Sequence, residues 1–280
     1  MARNGPEPFN ETTTMSRPEY ESLIYERREG IAILTFNRPE RMNAIGGTLK
    51  QDIAAAIAHA DNDEQVRVIV LTGAGSAFCA GGDVKEMGAQ LAGGGRPLEE
   101  KIRPARDAML LAIYEACKPV IAAINGAAAG AGMNMALAAD IRIASSAARF
   151  SQAFVKRGLS PDTGATYFLS RIIGLSKACE LAFTGDTIDA QEALRLGIVS
   201  RVVAPEDLMA TAFELAARIA AGPPIAIRLA KQAIYRGQQG DLREALGREA
   251  AALNICMDTE DAAEGMTSFR EKRPPNFLGR

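Results

Sequence analysis

The chain reads as an α/β protein on three observations. Apolar runs of strand length alternate with segments of helical spacing from residue 31 to residue 144, the order that builds layered α/β domains. Residues 119 to 140 form an uncharged strand that is broken by glycine and alanine and restarts as an apolar helix. Beyond about residue 205 the pattern becomes wholly helical, and such a helical unit often makes subunit contacts.

Residues 1 to 19 carry Pro6, Pro8, Pro18 and a run of threonines with no periodicity, so they are read as a disordered lead, without the apolar core of a signal peptide. Residues 31 to 36 alternate and then meet Asn37-Arg38-Pro39, a strand ending in a turn. Residues 49 to 60 have helical spacing, residues 66 to 71 are a strongly apolar strand, and Thr72-Gly73-Ala74-Gly75 ends it. A Gly-rich stretch at 87 to 96 reads either as a mobile loop beside a ligand or as a plain linker. A helix is expected around 105 to 116, followed by the strand, glycine turn and helix of residues 119 to 139 and a strand at 141 to 144. Apolar residues at helical spacing then mark 208 to 221, 225 to 235 and 242 to 257. The organisation is thus a lead at 1–19, an α/β core at 20–204 and a helical region at 205–280.

At 280 residues the chain can bury a large core, and its 48% apolar and 24% charged residues are ordinary for a globular protein. A formal charge of -2 points to neither nucleic acid nor an anionic membrane surface, so a small molecule is the expected partner. The 119–140 segment is long enough to cross a bilayer and contains a small-xxx-small pattern at Gly126 and Gly130. Asn125, Asn134, three glycines and the lack of a flanking cationic cluster favour a buried strand-turn-helix in a cytoplasmic protein.

The four cysteines, Cys79, Cys117, Cys179 and Cys256, lack CxxC spacing and read as reduced core thiols. His59 is the single histidine and is expected on the surface, beyond the apolar stripe of its helix, so no metal is expected and acid-base chemistry falls to carboxylates.

Two glycine-bearing turns carry the chemistry: residues 76 to 87, with Gly81-Gly82-Asp83, and Gly130-Ala131-Gly132. Each follows a buried strand and opens a helix, where main-chain N–H groups lack partners and face the positive end of the helix dipole. One such turn is commonplace; two together can hold an enolate or tetrahedral oxyanion.

These residues resemble the crotonase, or enoyl-CoA hydratase/isomerase, superfamily. The resemblance rests on residues 37 to 44, 78 to 87, 119 to 140, Thr184-Gly185 with 193 to 199, and the tail Phe269-Arg270-Glu271-Lys272-Arg273, and it covers about residues 20 to 280. It implies a crotonase-like ββα spiral core with a C-terminal helical trimerisation region, homotrimers or hexamers built as dimers of trimers, and acyl-CoA thioester substrates. Coenzyme A is then part of the substrate, and no separate cofactor is implied. By resemblance the N–H groups of Gly82 and Ala131 hold the thioester oxygen. Ala80, Gly82, Asp83, Val84 and Lys85 line the acyl and pantetheine path, and Phe269 and Lys272 reach CoA, the charged run at 271 to 273 being otherwise a solvated tail.

The departure from the family pattern is informative. Hydratases of the family use two glutamates to activate water, and those positions here hold Asn134 and Phe154, neither of which can act as a general base. Asp162, in Gly158-Leu159-Ser160-Pro161-Asp162-Thr163-Gly164, follows a segment read as helical; aspartate after proline is a routine turn or N-cap residue. Family members that isomerise double bonds or epoxides place their working aspartate here, and the motifs look most like epoxyphenylacetyl-CoA isomerases of phenylacetate breakdown, then enoyl-CoA delta isomerases. The implied reaction is proton removal by Asp162 with the enolate held by Gly82 and Ala131, while an apolar wall including Phe154 raises the acid's pKa and excludes water. Asp83, Glu86 and Asp140 are read as capping or charge-pairing groups, Glu115 and Glu192 have no role, and Asn134 is available to orient substrate or water. Four functions stand in competition: isomerase, hydratase, a dehalogenase-type enzyme, disfavoured by the missing tryptophan and lone histidine, and a non-catalytic CoA-thioester binder.

Overall fold

The computed structural model describes residues 19–94 and 107–280. The expected lead, apart from Glu19, and residues 95 and 96 of the Gly-rich stretch lie outside the described residues.

An antiparallel pair, β1 (Leu23–Arg28) and β2 (Ile31–Phe36), opens the chain, followed by helix α1 (Leu49–Asn62). A ββα unit then repeats: β3 (Val68–Gly73), β4 (Ala77–Cys79), α2 (Val84–Ala92) and α3 (Ala108–Glu115); β5 (Val120–Ile124), β6 (Ala127–Ala129) and α4 (Ala131–Ala138); β7 (Ile141–Ser145), β8 (Arg149–Ser151), α5 (Ala165–Ile173) and α6 (Leu175–Thr184). After β9 (Thr187–Asp189), α7 (Ala190–Arg195) and β10 (Arg201–Val203) come four helices: α8 (Leu208–Ala220), α9 (Pro224–Gly237), α10 (Leu242–Met257) and α11 (Glu260–Glu271).

The first strand of each unit enters one sheet, β1-β2-β3-β5-β7-β10, and the second enters another, β4-β6-β8-β9. Beyond the β1/β2 pair the first sheet is parallel, and β9 runs antiparallel to β8. Parallel strands covered on both faces read as continuous apolar runs, and β3 and β5 do so. Val68 and Val70, with Ile121 and Ala123, pack under Leu208, Ala212 and Ala216 of α8. Ile69 and Leu71, with Val120, Ala122 and Ile124, face the opposite core, where α1, α3 and α4 lie. Each valine, leucine or isoleucine among them contributes about 1.5–3 kcal/mol by leaving water.

The structure corrects several expectations. The stretch from residue 87 is helical as far as Ala92, because the Met87 amide bonds to the Asp83 carbonyl and the Gly93 amide to the Ala89 carbonyl, carrying on the helix that Asp83 starts. The segment before Asp162 is β8 followed by a 3-10 turn at Val155–Arg157, too short to be the helix expected there. The Phe269–Arg273 tail is largely the end of α11. His59 is half-buried, set edge-on against the ring of Tyr25 at 5.2 Å, since the helix turns it towards β1. Of the two readings of Asp140, capping or charge pairing, the second holds: it pairs with Lys231 and accepts from the Val120 amide and Tyr235. Among the described residues no helix is long and apolar enough to cross a membrane.

Candidate functional site

The two glycine turns lie against each other because β4 and β6 are neighbours in the second sheet. Gly81 adopts φ +90°, and a Cβ there would sit 2.7 Å from the Ala129 carbonyl oxygen and 3.7 Å from the Ala131 nitrogen. At Gly132 a Cβ would collide with the main-chain carbonyl of Cys79. Both turns therefore require glycine for close backbone approach as well as for conformation.

Their amides are left available by geometry. In the bridge to Ile45, the Gly81 carbonyl accepts from Ile45 N–H at 2.7 Å and Asp83 N–H donates to the Ile45 carbonyl at 3.0 Å. Alternation along an extended chain directs the Gly82 N–H away from Ile45. In α4 the first intrahelical bond runs from Asn134 N–H to the Gly130 carbonyl at 3.0 Å, so the amides of Ala131, Gly132 and Met133 have no partner within the helix. Gly82 is exposed and Ala131 is buried. The phenyl ring of Phe154 stands beside this seam, 3.5 Å from where a Gly130 Cβ would be.

Asp83 caps α2, accepting from the amides of Lys85 at 3.1 Å and Glu86 at 3.4 Å, with Arg38 at 3.5 Å. Burial opposes its ionisation, but those amides together with Arg41 and Arg38 hold its carboxyl below the usual carboxylate range. Val84 and Lys85 are exposed on the first turn of α2, Ala80 is half-buried with its N–H on the Met42 carbonyl, and the Met87 sulfur lies against Gly82. Asn43, fully buried, holds the strand leading into this turn by donating to the carbonyls of Ala74 and Ala77. Burial pushes the Cys79 thiol up to about 12, which keeps it protonated and inert.

Asp162 is brought near α4 through its main chain, its carbonyl accepting from Nδ2 of Asn134 at 2.9 Å. Its side chain is exposed and accepts from the Thr163 hydroxyl at 2.8 Å, so the expected apolar enclosure of the carboxyl is not formed within one chain. Gly164, not Asp162, is the N-cap of α5. Asn134 is buried with both ends of its amide engaged, the second by Nε2 of Gln152 at 2.8 Å, which fixes the orientation of its amide. Gln152 was missed in the sequence; a lone glutamine after a three-residue strand carries no signal of burial. Phe269, 85% exposed, and Lys272, the left-handed cap of α11, are not joined to the two turns by any hydrogen bond among the described residues. Their helix packs on α10 and on the chain's last residues, held by Asp261 and by the Arg273–Glu264 pair.

The enoyl-CoA hydratase/isomerase family profile matches residues 26–280. The chain is 43% identical to a short-chain-enoyl-CoA hydratase of Clostridium acetobutylicum over 256 residues, 91% of this chain and 97% of that one. It is 35% identical to the 1,2-epoxyphenylacetyl-CoA isomerase of Escherichia coli over 260 residues, 93% of this chain and 99% of that one. The crystal structure of an enoyl-CoA hydratase from Bacillus anthracis superposes with a TM-score of 0.85 at 35% identity, covering 93% of this chain and all of that one.

Proposed function

The chain belongs to the enoyl-CoA hydratase/isomerase family, and on that premise we propose that it isomerises a double bond or an epoxide in an acyl-CoA thioester. The observation that carries this reading is the pair Asn134 and Phe154, an engaged amide and a hydrocarbon ring. Neither can take a proton from water. Asp162, tied to α4 through its carbonyl, is then the base.

In the proposed reaction the thioester oxygen sits between the N–H groups of Gly82 and Ala131. The Asp162 carboxylate removes the acidic proton from the carbon next to the thioester carbonyl, the electron pair moves into the enolate, and the two amides stabilise the oxyanion. Asp162 then returns the proton elsewhere on the acyl chain; with an epoxide, proton removal is coupled to ring rearrangement. Phe154 beside the turn excludes the water that a hydratase would place. Ala80, Asp83, Val84 and Lys85 flank the acyl and pantetheine path, and Phe269 and Lys272 receive CoA from a neighbouring subunit of a cytoplasmic homotrimer or hexamer. The helices after residue 205 form that assembly, and no cofactor beyond the substrate's own CoA is required.

A hydratase reading is favoured by the relatives, since the Clostridium acetobutylicum protein is named for that activity. Proton NMR in deuterated buffer separates the two, using crotonyl-CoA, a 3-enoyl-CoA and epoxyphenylacetyl-CoA with wild type and Asp162→Asn. Proton exchange or migration that disappears in Asp162→Asn supports the isomerase. Water addition to crotonyl-CoA that persists in Asp162→Asn overturns it.

A further inference from the structure

The Asp162 turn is an unusual piece of backbone: Thr163 has φ +50° and Gly164 φ +75°, two consecutive left-handed residues. Its internal support is the bond from Ala165 N–H to the Asp162 carbonyl at 3.0 Å, and the same carbonyl accepts the bond from Asn134 that crosses to α4. A carbonyl only accepts, so the end of Asn134 that meets it must be the NH2. Oδ1 of Asn134 is then the end that meets Gln152, and Gln152 must in turn present its own NH2. The Oε1 of Gln152, on a side chain 1% exposed, is left buried without a partner among the described residues. The orphaned oxygen is thus a consequence of orienting Asn134 towards the Asp162 turn, and no flip of either amide removes it without breaking one of the two bonds.

Asn134 lies three residues after Ala131 on α4, on the same face one turn along. The helix end that offers the Ala131 N–H therefore also grips the main chain of Asp162.

We propose that Asn134 is a positioning residue: it fixes the Asp162 turn relative to the Ala131 amide, with Gln152 locking its rotamer, so that one rigid helix sets the distance between base and oxyanion donor. The mechanical part of this proposal is independent of the chemistry, whereas its catalytic consequence rests on Asp162 being the base. Asn134 has no contact of its own with the acyl group.

The test uses the full chain with Asn134→Ala and Asn134→Asp, the latter keeping the shape without the donor, each alone and combined with Asp162→Asn. Hydrogen-deuterium exchange by mass spectrometry reads the turn directly. Both variants are expected to speed amide exchange in residues 162–166 at least tenfold while the peptides of β3 and β5 keep wild-type rates; unchanged exchange in 162–166, or faster exchange everywhere, overturns the brace. Deuterium incorporation into trans-3-hexenoyl-CoA gives the second reading. The expected result is a 10- to 100-fold loss in kcat with KM within twofold, and no further loss when Asp162→Asn is already present. A raised KM at constant kcat would make Asn134 a substrate contact and overturn the proposal. Wild-type incorporation by Asp162→Asn would remove the base assignment alone, with amide exchange still deciding whether Asn134 holds the turn.

Discussion

Gly81 shows how little room the candidate site leaves at the level of one residue. Its φ of +90° is costly for any side chain, and the methyl of an alanine would press on the Ala129 carbonyl at 2.7 Å, pushing the Gly82 turn away from α4. Gly81→Ala is expected to lower unfolding stability by about 1–3 kcal/mol and, on the proposed mechanism, to cut turnover on the order of 100-fold, because the Gly82 amide proposed as an oxyanion donor is displaced. A variant that melts lower yet turns over at the wild-type rate would show that the two turns need not meet. Asp83 gives a pH-dependent counterpart. Its carboxyl is held below the ordinary value of 3.8, so it stabilises the folded chain fully above that value and loses the contribution as pH falls through its lower folded value. The stability gap between wild type and Asp83→Ala, about 1 kcal/mol for a lost cap, should therefore be constant from pH 7 to 5 in urea titrations and shrink below pH 4. At this scale the sequence exposed what backbone chemistry demands, such as glycines at 81 and 132. It hid what depends on a partner far along the chain: Asp162 meeting Asn134 through a carbonyl and Gln152 closing the chain of bonds.

Elements were legible where their periodicity is set by burial. Strand β2 and helix α10 stand at the residues expected, and β5 and α4 reproduce the strand and helix read between 119 and 140, with β6 standing in the segment between them that reads as a turn. The three-residue strands β4, β6, β8 and β9 are too short for any period, and their existence follows from pairing with one another rather than from their own residues. Asp140 makes the same point for the join between core and helical region. One carboxylate takes the Val120 amide at 2.6 Å, Lys231 at 2.8 Å and the hydroxyl of Tyr235, so α9 is fastened to β5 through a nearly buried charge. Burial, then the adjacent Asp140 charge, drives the Tyr235 pKa upward and keeps it a donor. Removing the shared acceptor strands a lysine, so Asp140→Ala should cost about 3–5 kcal/mol, against about 1 kcal/mol for Tyr235→Phe. Equal costs in chemical denaturation would mean that the lysine, not the shared carboxylate, finds another partner.

A single chain leaves a broad apolar face open to water on its C-terminal helices. Helix α10 runs sixteen residues without one buried side chain while exposing Leu242 at 74%, Leu246, Leu253 and Ile255, and α9 and α11 add Ile234, Met266 and Phe269. Scattered apolar residues are ordinary on a surface, but several helices sharing an unpartnered apolar face call for a cover. The exposed Asp162 carboxyl calls for one too if it is the base proposed above, since a base works best where water is excluded. Association through α9, α10 and α11 would answer the first need, and a neighbouring subunit supplying Phe269 and Lys272 would bear on the second. Sedimentation velocity should accordingly find a trimer or hexamer, and the paired change Leu246→Glu with Leu253→Glu should shift it towards monomer while circular dichroism stays native. Turnover of the monomer should fall at least tenfold, with KM rising more than kcat falls if the neighbour chiefly holds CoA. A fully active monomer would separate assembly from catalysis and leave Asp162 to be enclosed by the substrate alone.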